Sequence, residues 1–160
     1  MDKCKPVETF IALCTKLTKN GDEPGVNNTL YKQMVGSLMY LTATRPDLMY
    51  AVSLISRFME SPKDFHSNVG KRILRYVAGT LGHGLWYTHT PNNTLTRYTD
   101  SDFAGSLDDR KSTSGYAFHL GTNLISWASE KQPIVSMSSA KAEYVAATTA
   151  ACHAVWLRNC

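Results

Sequence analysis

The spacing of apolar residues changes near residue 85, and this change constrains the fold more than any other feature of the sequence. Between residues 28 and 79, apolar side chains recur every three or four positions, which is the spacing of one helix face. Beyond residue 85, short alternating runs are separated by turn-forming Gly, Asn and Pro residues, as in a sheet. The sequence therefore predicts an α/β protein (α+β overall) in which a helical module precedes a sheet.

Three helices are expected in the first half of the chain. The first should run from a cap at Asn28 to Arg45, because a residue before proline disfavours helical geometry. The second should begin at Pro46, which suits a first helical position. The third should follow a cap at Ser61 and end at Gly79.

Periodicity and composition divide the chain into three segments. Residues 1–26 have no sustained period and end in the breaker-rich stretch 20–25, so we expect a loose leader. Residues 27–90 are expected to form the helical module. Residues 91–160 are expected to form the domain that contains the sheet.

Two hairpins are expected in the second half. The run at residues 85–88 should pair with residues 95–100 across a turn that contains Pro and Asn. Residues 115–120 should pair with residues 124–128 through Gly121, which tolerates the positive φ of a tight reversal. The predicted sheet is therefore antiparallel.

A final helix is expected to begin at the cap candidates Ser138 and Ser139 and to run nearly to the last residue. One hydroxyl lies on its predicted buried face, where Thr149 can bond to a carbonyl one turn earlier. The residues of this face are Ala142, Val145, Ala146, Thr149, Cys152, Val155 and Trp156.

Composition leaves the choice of partner open. The net charge is +4, and residues 1–80 contain 11 Lys and Arg against 7 Asp and Glu. Such an excess fits both contact with a phosphate backbone and an ordinary soluble surface.

No export signal or membrane-length apolar stretch is visible, which predicts a cytoplasmic or nuclear location without membrane contact. The cysteines show no metal-ligand spacing and are expected to be reduced thiols: Cys4, Cys14, Cys152 and Cys160.

Acidic residues stand at two places where a metal site is chemically reasonable. Asp100 ends a predicted strand, and Asp102 would share its face if the strand continued. Glu143 is placed in the first turn of the final helix, where the helix dipole favours an anion. Converging carboxylates repel one another unless they hold a hard cation such as Mg²⁺. The alternative is that these residues are solvated caps.

Six segments, in order and spacing, carry a resemblance to a known family. They are residues 31–41, Thr44-Arg45-Pro46-Asp47, Tyr98-Thr99-Asp100-Ser101-Asp102, residues 110–116, Ile125-Ser126-Trp127 and Ala142-Glu143-Tyr144. Together they resemble copia-type retrotransposon polyproteins over essentially the whole chain. Residues 1 to about 90 resemble the end of the reverse transcriptase region, and residues from about 94 resemble the start of ribonuclease H.

The resemblance implies roles for two carboxylates. Asp100 matches the first metal-binding aspartate of ribonuclease H, and Glu143 matches the glutamate on its first helix, whereas Asp102 matches no catalytic residue. Lys141 stands at a position that is often acidic in the family. The later metal-binding aspartates and the polymerase aspartate pair are not found among the 160 residues. The implied protein is non-catalytic, with a vestigial Mg²⁺ site, no other cofactor, and an RNA–DNA hybrid as a candidate partner.

The same resemblance implies a truncated ribonuclease H-like sheet, with antiparallel strands one to three followed by the first helix. In that fold the first strand also pairs with a later strand. We therefore expect an exposed strand edge, marginal stability of the second half and self-association through this edge.

Arg72-Ile73-Leu74-Arg75 matches the RxLR pattern of secreted effectors from plant-pathogenic oomycetes, and the whole chain also resembles such an effector that suppresses host cell death. This alternative implies secretion, action inside the host cell and host plant proteins as partners. The tetrapeptide also fits an ordinary helix face, with Ile73 and Leu74 inward and the arginines outward.

A nucleic-acid-binding remnant is the third alternative. It depends on a basic cluster with aromatic neighbours, which could contact phosphates and stack on bases. The residues are Lys71, Arg72, Arg75, Tyr76, Trp86 and Tyr87.

Overall fold

The chain divides into two compact units: residues 1–84 contain the first three helices, and residues 85–160 contain the sheet and the last helix. The computed structural model describes residues 4–12, 15–89, 91 and 93–159. Within them, the helices are α1 Asn28–Leu41, a 3-10 turn at Pro46–Leu48, α2 Met49–Ser56, α3 Asp64–Gly79 and α4 Ser139–Arg158. The strands are β1 Leu95–Ser101, β2 Thr113–Leu120 and β3 Asn123–Lys131. The mixed α/β class expected from the periodicity is confirmed.

The first helix begins one residue earlier than predicted and ends four residues earlier. Its cap is Asn27, whose side chain accepts a hydrogen bond from the backbone N–H of Leu30 at 3.0 Å, and not Asn28. It ends at Leu41, four residues before Arg45. The hydroxyl of Thr42 bonds the Met39 carbonyl at 2.6 Å and satisfies an acceptor of the last turn.

The predicted cap of the third helix is also wrong. The helix begins after Lys63, whose backbone N–H donates to Nδ1 of His66 at 2.9 Å. Ser61 lies before this cap, and the next residue, Pro62, accepts a hydrogen bond from Val26 through its carbonyl. A backbone bridge between Gly25 and Lys63 continues this contact. The side chain of His66 therefore satisfies the N–H of the cap residue Lys63, and the helix begins two residues later than a cap at Ser61 predicts.

The core of the first unit lies among α1, α2 and α3. Ile73 is fully buried, as its helix pattern predicts, and Phe65, Val69, Leu74 and Val77 pack against the core while partly exposed. Residues ahead of α1 join it, since Leu17 is buried and Phe10 and Val26 pack against the cluster. The buried members are Leu17, Tyr31, Val35, Leu38, Leu48, Ala51, Val52, Ile55, Phe58 and Ile73.

The second unit is built on an antiparallel sheet in the order β1-β2-β3. Gly121 has a φ of 60° between β2 and β3, which confirms the predicted reversal. The predicted strand at residues 85–88 is wrong, because these residues have no strand geometry and β1 pairs only with β2 among the described residues. Thr88 instead exchanges backbone hydrogen bonds of 3.0 and 2.8 Å with the side chain of Asn123.

Helix α4 packs on this sheet through a row of alanines. Ser138 caps it by accepting from the N–H of Lys141, as predicted. The predicted buried face is only partly correct, since Thr149, Cys152, Val155 and Trp156 are exposed. The hydroxyl of Thr149 does bond back to the Val145 carbonyl at 3.0 Å. The buried residues recur every fourth position and are Ala142, Ala146, Ala150 and Ala154.

Among the described residues, no helix combines the length and apolar character needed to cross a bilayer. Cys4 and Cys152 are exposed free thiols. Cys14 and Cys160 lie outside the described residues.

Candidate functional site

Asp100 is the sixth residue of β1 and pairs in register with Gly115 of β2. Its side chain is exposed. Leu95 and Arg97 line a groove together with residues of α4, so alternation along the strand assigns Asp100 to the opposite face. The carboxylate therefore stands in solvent near the end of an edge strand.

Glu143 is the fifth residue of α4 and is also exposed. This corrects the expected position in the first turn, because the cap at Ser138 places Glu143 one residue beyond the first four N–H groups. The dipole effect on Glu143 is therefore weaker than predicted. Lys141, two residues earlier, is exposed as well.

Asp102 stabilises a loop. The strand ends at Ser101, so the condition under which Asp100 and Asp102 would share a face is not met. The Asp102 carboxylate accepts from the N–H of Thr113, and its own N–H donates to the Thr113 carbonyl at 3.1 Å. Gly105 is required beside it, because a Cβ there would lie 2.0 Å from Oδ2 of Asp102.

Gln132 links three elements around this region, and the sequence analysis did not identify it. The side chain is 3% exposed, and its amide nitrogen contacts Ser101 of β1, Ser114 of β2 and the Ala142 carbonyl of α4. Its amide oxygen accepts from the hydroxyl of Ser136 at 3.2 Å. No periodic signal marks such a residue, since a polar side chain between a strand and a proline looks like an ordinary loop residue.

Asp100 and Glu143 each have the chemistry of a magnesium ligand, but strand alternation places Asp100 on the sheet face opposite α4, the helix that bears Glu143. Both side chains present carboxylate oxygens, the donors that Mg²⁺ prefers, and neither forms a hydrogen bond or ion pair with another described residue. Over the described ranges, no three or more His, Cys, Asp or Glu side chains gather into a group that could hold a metal ion. The role of Asp100 and Glu143 as metal ligands therefore remains a prediction.

The RxLR-pattern residues are folded into α3 and contact the segment that precedes α1. Arg72 donates to the carbonyl and hydroxyl of Thr9 at 3.1 and 2.8 Å, and Arg75 donates to the Lys5 carbonyl at 2.9 Å. Ile73 is fully buried and Leu74 is half-buried. Both arginines therefore hold residues 5–9 against the helix.

An ion pair explains the motif Thr44-Arg45-Pro46-Asp47. Arg45 is 4% exposed and donates two hydrogen bonds, of 2.9 and 2.8 Å, to Asp47. It also donates to the carbonyl and hydroxyl of Thr80 at the end of α3, and Tyr76 donates to Asp47 at 3.1 Å. These hydrogen bonds from Arg45 hold the pKa of the Asp47 carboxyl below its usual value, and the bond to Asp47 raises the pKa of Arg45.

The predicted nucleic-acid cluster is distributed over both units. Lys71 is exposed on α3, while Tyr76 is engaged by Asp47 and by an edge contact with Phe10. Trp86 and Tyr87 are exposed in the second unit. Nucleic-acid binding by these residues remains a prediction, and phosphate contacts would make it weaken as salt rises.

The fold and these residues define a mixed α/β protein whose sheet and following helix each present an unpartnered carboxylate. Comparison with known proteins gives 44% identity over 153 residues with a retrovirus-related Pol polyprotein from transposon RE2 of Arabidopsis thaliana, covering 96% of this chain. The corresponding Pol polyprotein of transposon TNT 1-94 from Nicotiana tabacum is 40% identical over 166 residues, covering 99%. The chain belongs to the copia-type retrotransposon Pol polyprotein family.

The chain spans only part of these polyproteins, 10% of the RE2 protein and 12% of the TNT 1-94 protein. A shorter relative, named secreted RxLR effector protein 161 of Plasmopara viticola, is 43% identical over 133 residues, which are 82% of this chain and 94% of that protein. No protein-family model matches the chain. No solved structure matches it either.

Proposed function

We propose that residues 85–160 supply the first two ligands, Asp100 and Glu143, of a ribonuclease H-type metal site in a Pol polyprotein, and that the 160-residue chain alone does not cleave an RNA–DNA hybrid. The observation that supports this most is the availability of both carboxylates, exposed and unpartnered among the described residues, on β1 and α4. The proposed reaction class follows from the resemblance of the residues from about 94 to the start of ribonuclease H, within a chain similar to Pol polyproteins.

The chemistry requires more than these two groups. A bound pair of Mg²⁺ ions would activate a water molecule and stabilise the leaving oxygen of the phosphodiester. Asp100 and Glu143 would each contribute oxygen ligands to such ions. Asp102 would not be a metal ligand. Its carboxylate already accepts a hydrogen bond from the backbone N–H of Thr113 and stabilises the loop after β1.

Hybrid cleavage tests this proposal. With Mg²⁺, the 160-residue chain should give no RNA cleavage above the protein-free background. A chimera that adds the region following the match in the RE2 polyprotein should cleave, and Asp100→Asn or Glu143→Gln should each abolish that cleavage. Asp22→Asn, an exposed change in the first unit, serves as the matched control and should leave it intact.

Two results would contradict the proposal. Turnover by the 160-residue chain that Asp100→Asn removes would show that the chain is an enzyme by itself. Full activity of the chimera after either carboxylate substitution would show that Asp100 or Glu143 is not a ligand.

Suppression of host cell death is a second candidate function. The similarity to secreted RxLR effector protein 161 and the motif at residues 72–75 favour it. The folded state of the motif opposes a role as a linear signal, because recognition of a tetrapeptide by another protein requires an exposed chain and Ile73 is buried. An effector of this kind would act on host plant proteins after secretion.

Expression inside leaf cells together with a death-inducing elicitor tests the second candidate. Reduced cell death would support it, and an unchanged response would exclude it. The double variant Arg72→Ala, Arg75→Ala removes the motif and also its contacts with residues 5–9, so a lost effect supports the motif only if the circular dichroism and thermal unfolding of the variant match those of the wild type.

A further inference from the structure

The ring of His66 is buried at the point where α3 begins. Its side chain is 0% exposed, and its centroid lies 4.0 Å from that of Phe58 and 4.0 Å from that of Phe65. The ring of Phe58 is nearly parallel to it, at an angle of 17°. Complete burial against two aromatic rings disfavours a charged imidazole, because a charged group loses its hydration there.

One ring nitrogen of His66 has a role that only a neutral imidazole can perform. The backbone N–H of Lys63 donates to Nδ1 of His66 at 2.9 Å, so Nδ1 presents a lone pair and the ring proton is on Nε2. A protonated imidazole has a proton on both nitrogens. The Nδ1 proton would then point at the N–H of Lys63, and a contact between two donors would replace the hydrogen bond at the start of α3.

Lys63, which this hydrogen bond fixes, lies among the contacts between α3 and the segment ahead of α1. A backbone bridge joins Gly25 to Lys63. Three hydrogen bonds of 3.1–3.2 Å accompany the bridge: the N–H of Val26 to the Pro62 carbonyl, the N–H of Asp64 to the Pro24 carbonyl, and the N–H of Phe65 to the Glu23 carboxylate. Residues 23–26 are therefore held against the start of α3 on both sides of Lys63.

We propose that His66 is a pH-sensitive switch, and that its protonation releases residues 23–26 from the start of α3. A histidine in contact with water binds a proton near pH 6.5, whereas the closed arrangement requires neutral His66. The open state therefore binds one more proton than the closed state. The closed arrangement is fully stable above about pH 6.5, and opening becomes up to tenfold more favourable for each pH unit below it. This switch is independent of Asp100 and Glu143.

The charged groups around His66 are acidic on balance, which by itself would favour a protonated ring. Their side chains all retain contact with water, which screens their effect on the buried ring. Tyr31 of α1 stays neutral, because burial raises the pKa of its hydroxyl, which donates to the Ile55 carbonyl at 2.8 Å. The charged residues on the surrounding elements are Asp22 and Glu23 ahead of α1, Arg57 and Glu60 after α2, and Lys63 and Asp64 at the start of α3.

Amide hydrogen exchange of the full chain at pH 7.5 and pH 5.5 tests the switch, with each rate divided by the intrinsic rate at that pH. The protection of the Val26, Asp64 and Phe65 amides should fall roughly tenfold at pH 5.5. His66→Gln offers Lys63 an acceptor that does not titrate, so this fall should disappear. His83→Gln changes an exposed histidine of the same unit and should keep it.

Equal pH dependence in His66→Gln and in the wild-type chain would overturn the proposal. Absence of protection at pH 7.5 would also overturn it, since residues 23–26 would then not be held closed. Ring ¹⁵N signals of the wild-type chain give a second readout that requires no variant. They should show a proton on Nε2 alone in the closed state, and a His66 ring that becomes protonated near pH 6.5 with unchanged amide protection would contradict the switch.

Discussion

At the scale of single residues, the Arg45–Asp47 pair has the clearest energetic consequence. Arg45→Lys keeps the charge but loses the planar fork that reaches Asp47 and Thr80 together. We expect the first unit to lose roughly 2 kcal/mol of unfolding free energy, the scale of hydrogen bonds to charged groups. Urea unfolding followed by circular dichroism measures this loss. Lys71→Arg on exposed α3 surface is the control, and equal stability of both variants would contradict the prediction.

Asp109 gives the second unit a defined response to acid. Burial disfavours its charged form, but hydrogen bonds from Lys131 and Ser106 outweigh burial and lower the pKa of Asp109 to about 2. The stabilisation that the ionised Asp109 gives to the folded second unit is therefore fully present above the pKa of Asp in the unfolded chain, near 3.9. It is lost as the pH falls toward 2. Asp109→Asn should remove this part of the acid dependence, measured by unfolding at pH 5 and pH 2.5. A variant that keeps the wild-type dependence would contradict this assignment.

At the scale of elements, the alanine row of α4 sets how closely the helix approaches the sheet. Ala146 is 1% exposed, whereas its neighbour Ala147 faces solvent. Ala146→Leu should destabilise the second unit by about 1–3 kcal/mol because it overpacks the interface. Ala147→Leu is the matched control and should change stability little. Chemical unfolding of the two variants compares them directly, and equal stabilities would show that the interface has room.

The number and order of the helices, and three of the four predicted strands, follow from periodicity, because burial of one face imposes the spacing. Their ends do not, since Thr42 and His66 terminate or cap helices through side-chain bonds that other residues could also have made. The buried face of α4 was mispredicted because hydrophobicity favours Val155 and Trp156 over small alanines. The close contact between α4 and the sheet, which sequence periodicity does not show, is what favours small side chains on the buried face of α4.

The carboxylates of the candidate site were predictable through their motifs, but the residue that connects their elements was not. Asp100 and Glu143 belong to segments with a family resemblance. Gln132 contacts Ser101, Ser114 and Ala142, which are far apart in the sequence. Hydrogen bonds between residues that are distant in the sequence produce no periodic pattern, so the role of Gln132 is visible only in the three-dimensional structure.

At the scale of the whole molecule, the two units differ in the amount of core they contain. Among the described residues, the first unit buries ten hydrophobic residues in one cluster, whereas the corresponding cluster of the second contains Phe118, Ala150 and Ala154. Expressed separately, residues 85–160 should therefore unfold at lower temperature than residues 1–84. Thermal unfolding by circular dichroism measures both midpoints. A higher midpoint for residues 85–160 would contradict this expectation.

The edge of β1 bears on the behaviour of the second unit in solution. Within the described residues β1 pairs only with β2, which leaves one row of its backbone groups outside the sheet. Such an edge favours pairing with another chain, so residues 85–160 should self-associate as concentration rises. Light scattering after size-exclusion chromatography measures this. Thr99→Pro removes a backbone N–H at the edge strand and adds a ring that hinders pairing, and the prediction fails if the wild-type unit stays monomeric.

The contact of Arg72 and Arg75 with residues 5–9 has an evolutionary consequence. Two of its three hydrogen bonds end on backbone carbonyls, which every amino acid possesses. The side chains of residues 5–9 can consequently be substituted while these two hydrogen bonds persist. Replacement of either arginine would remove the donor. Selection for this packing alone would preserve Arg72 and Arg75. A sequence pattern that is associated with export can therefore be conserved because it stabilises the fold.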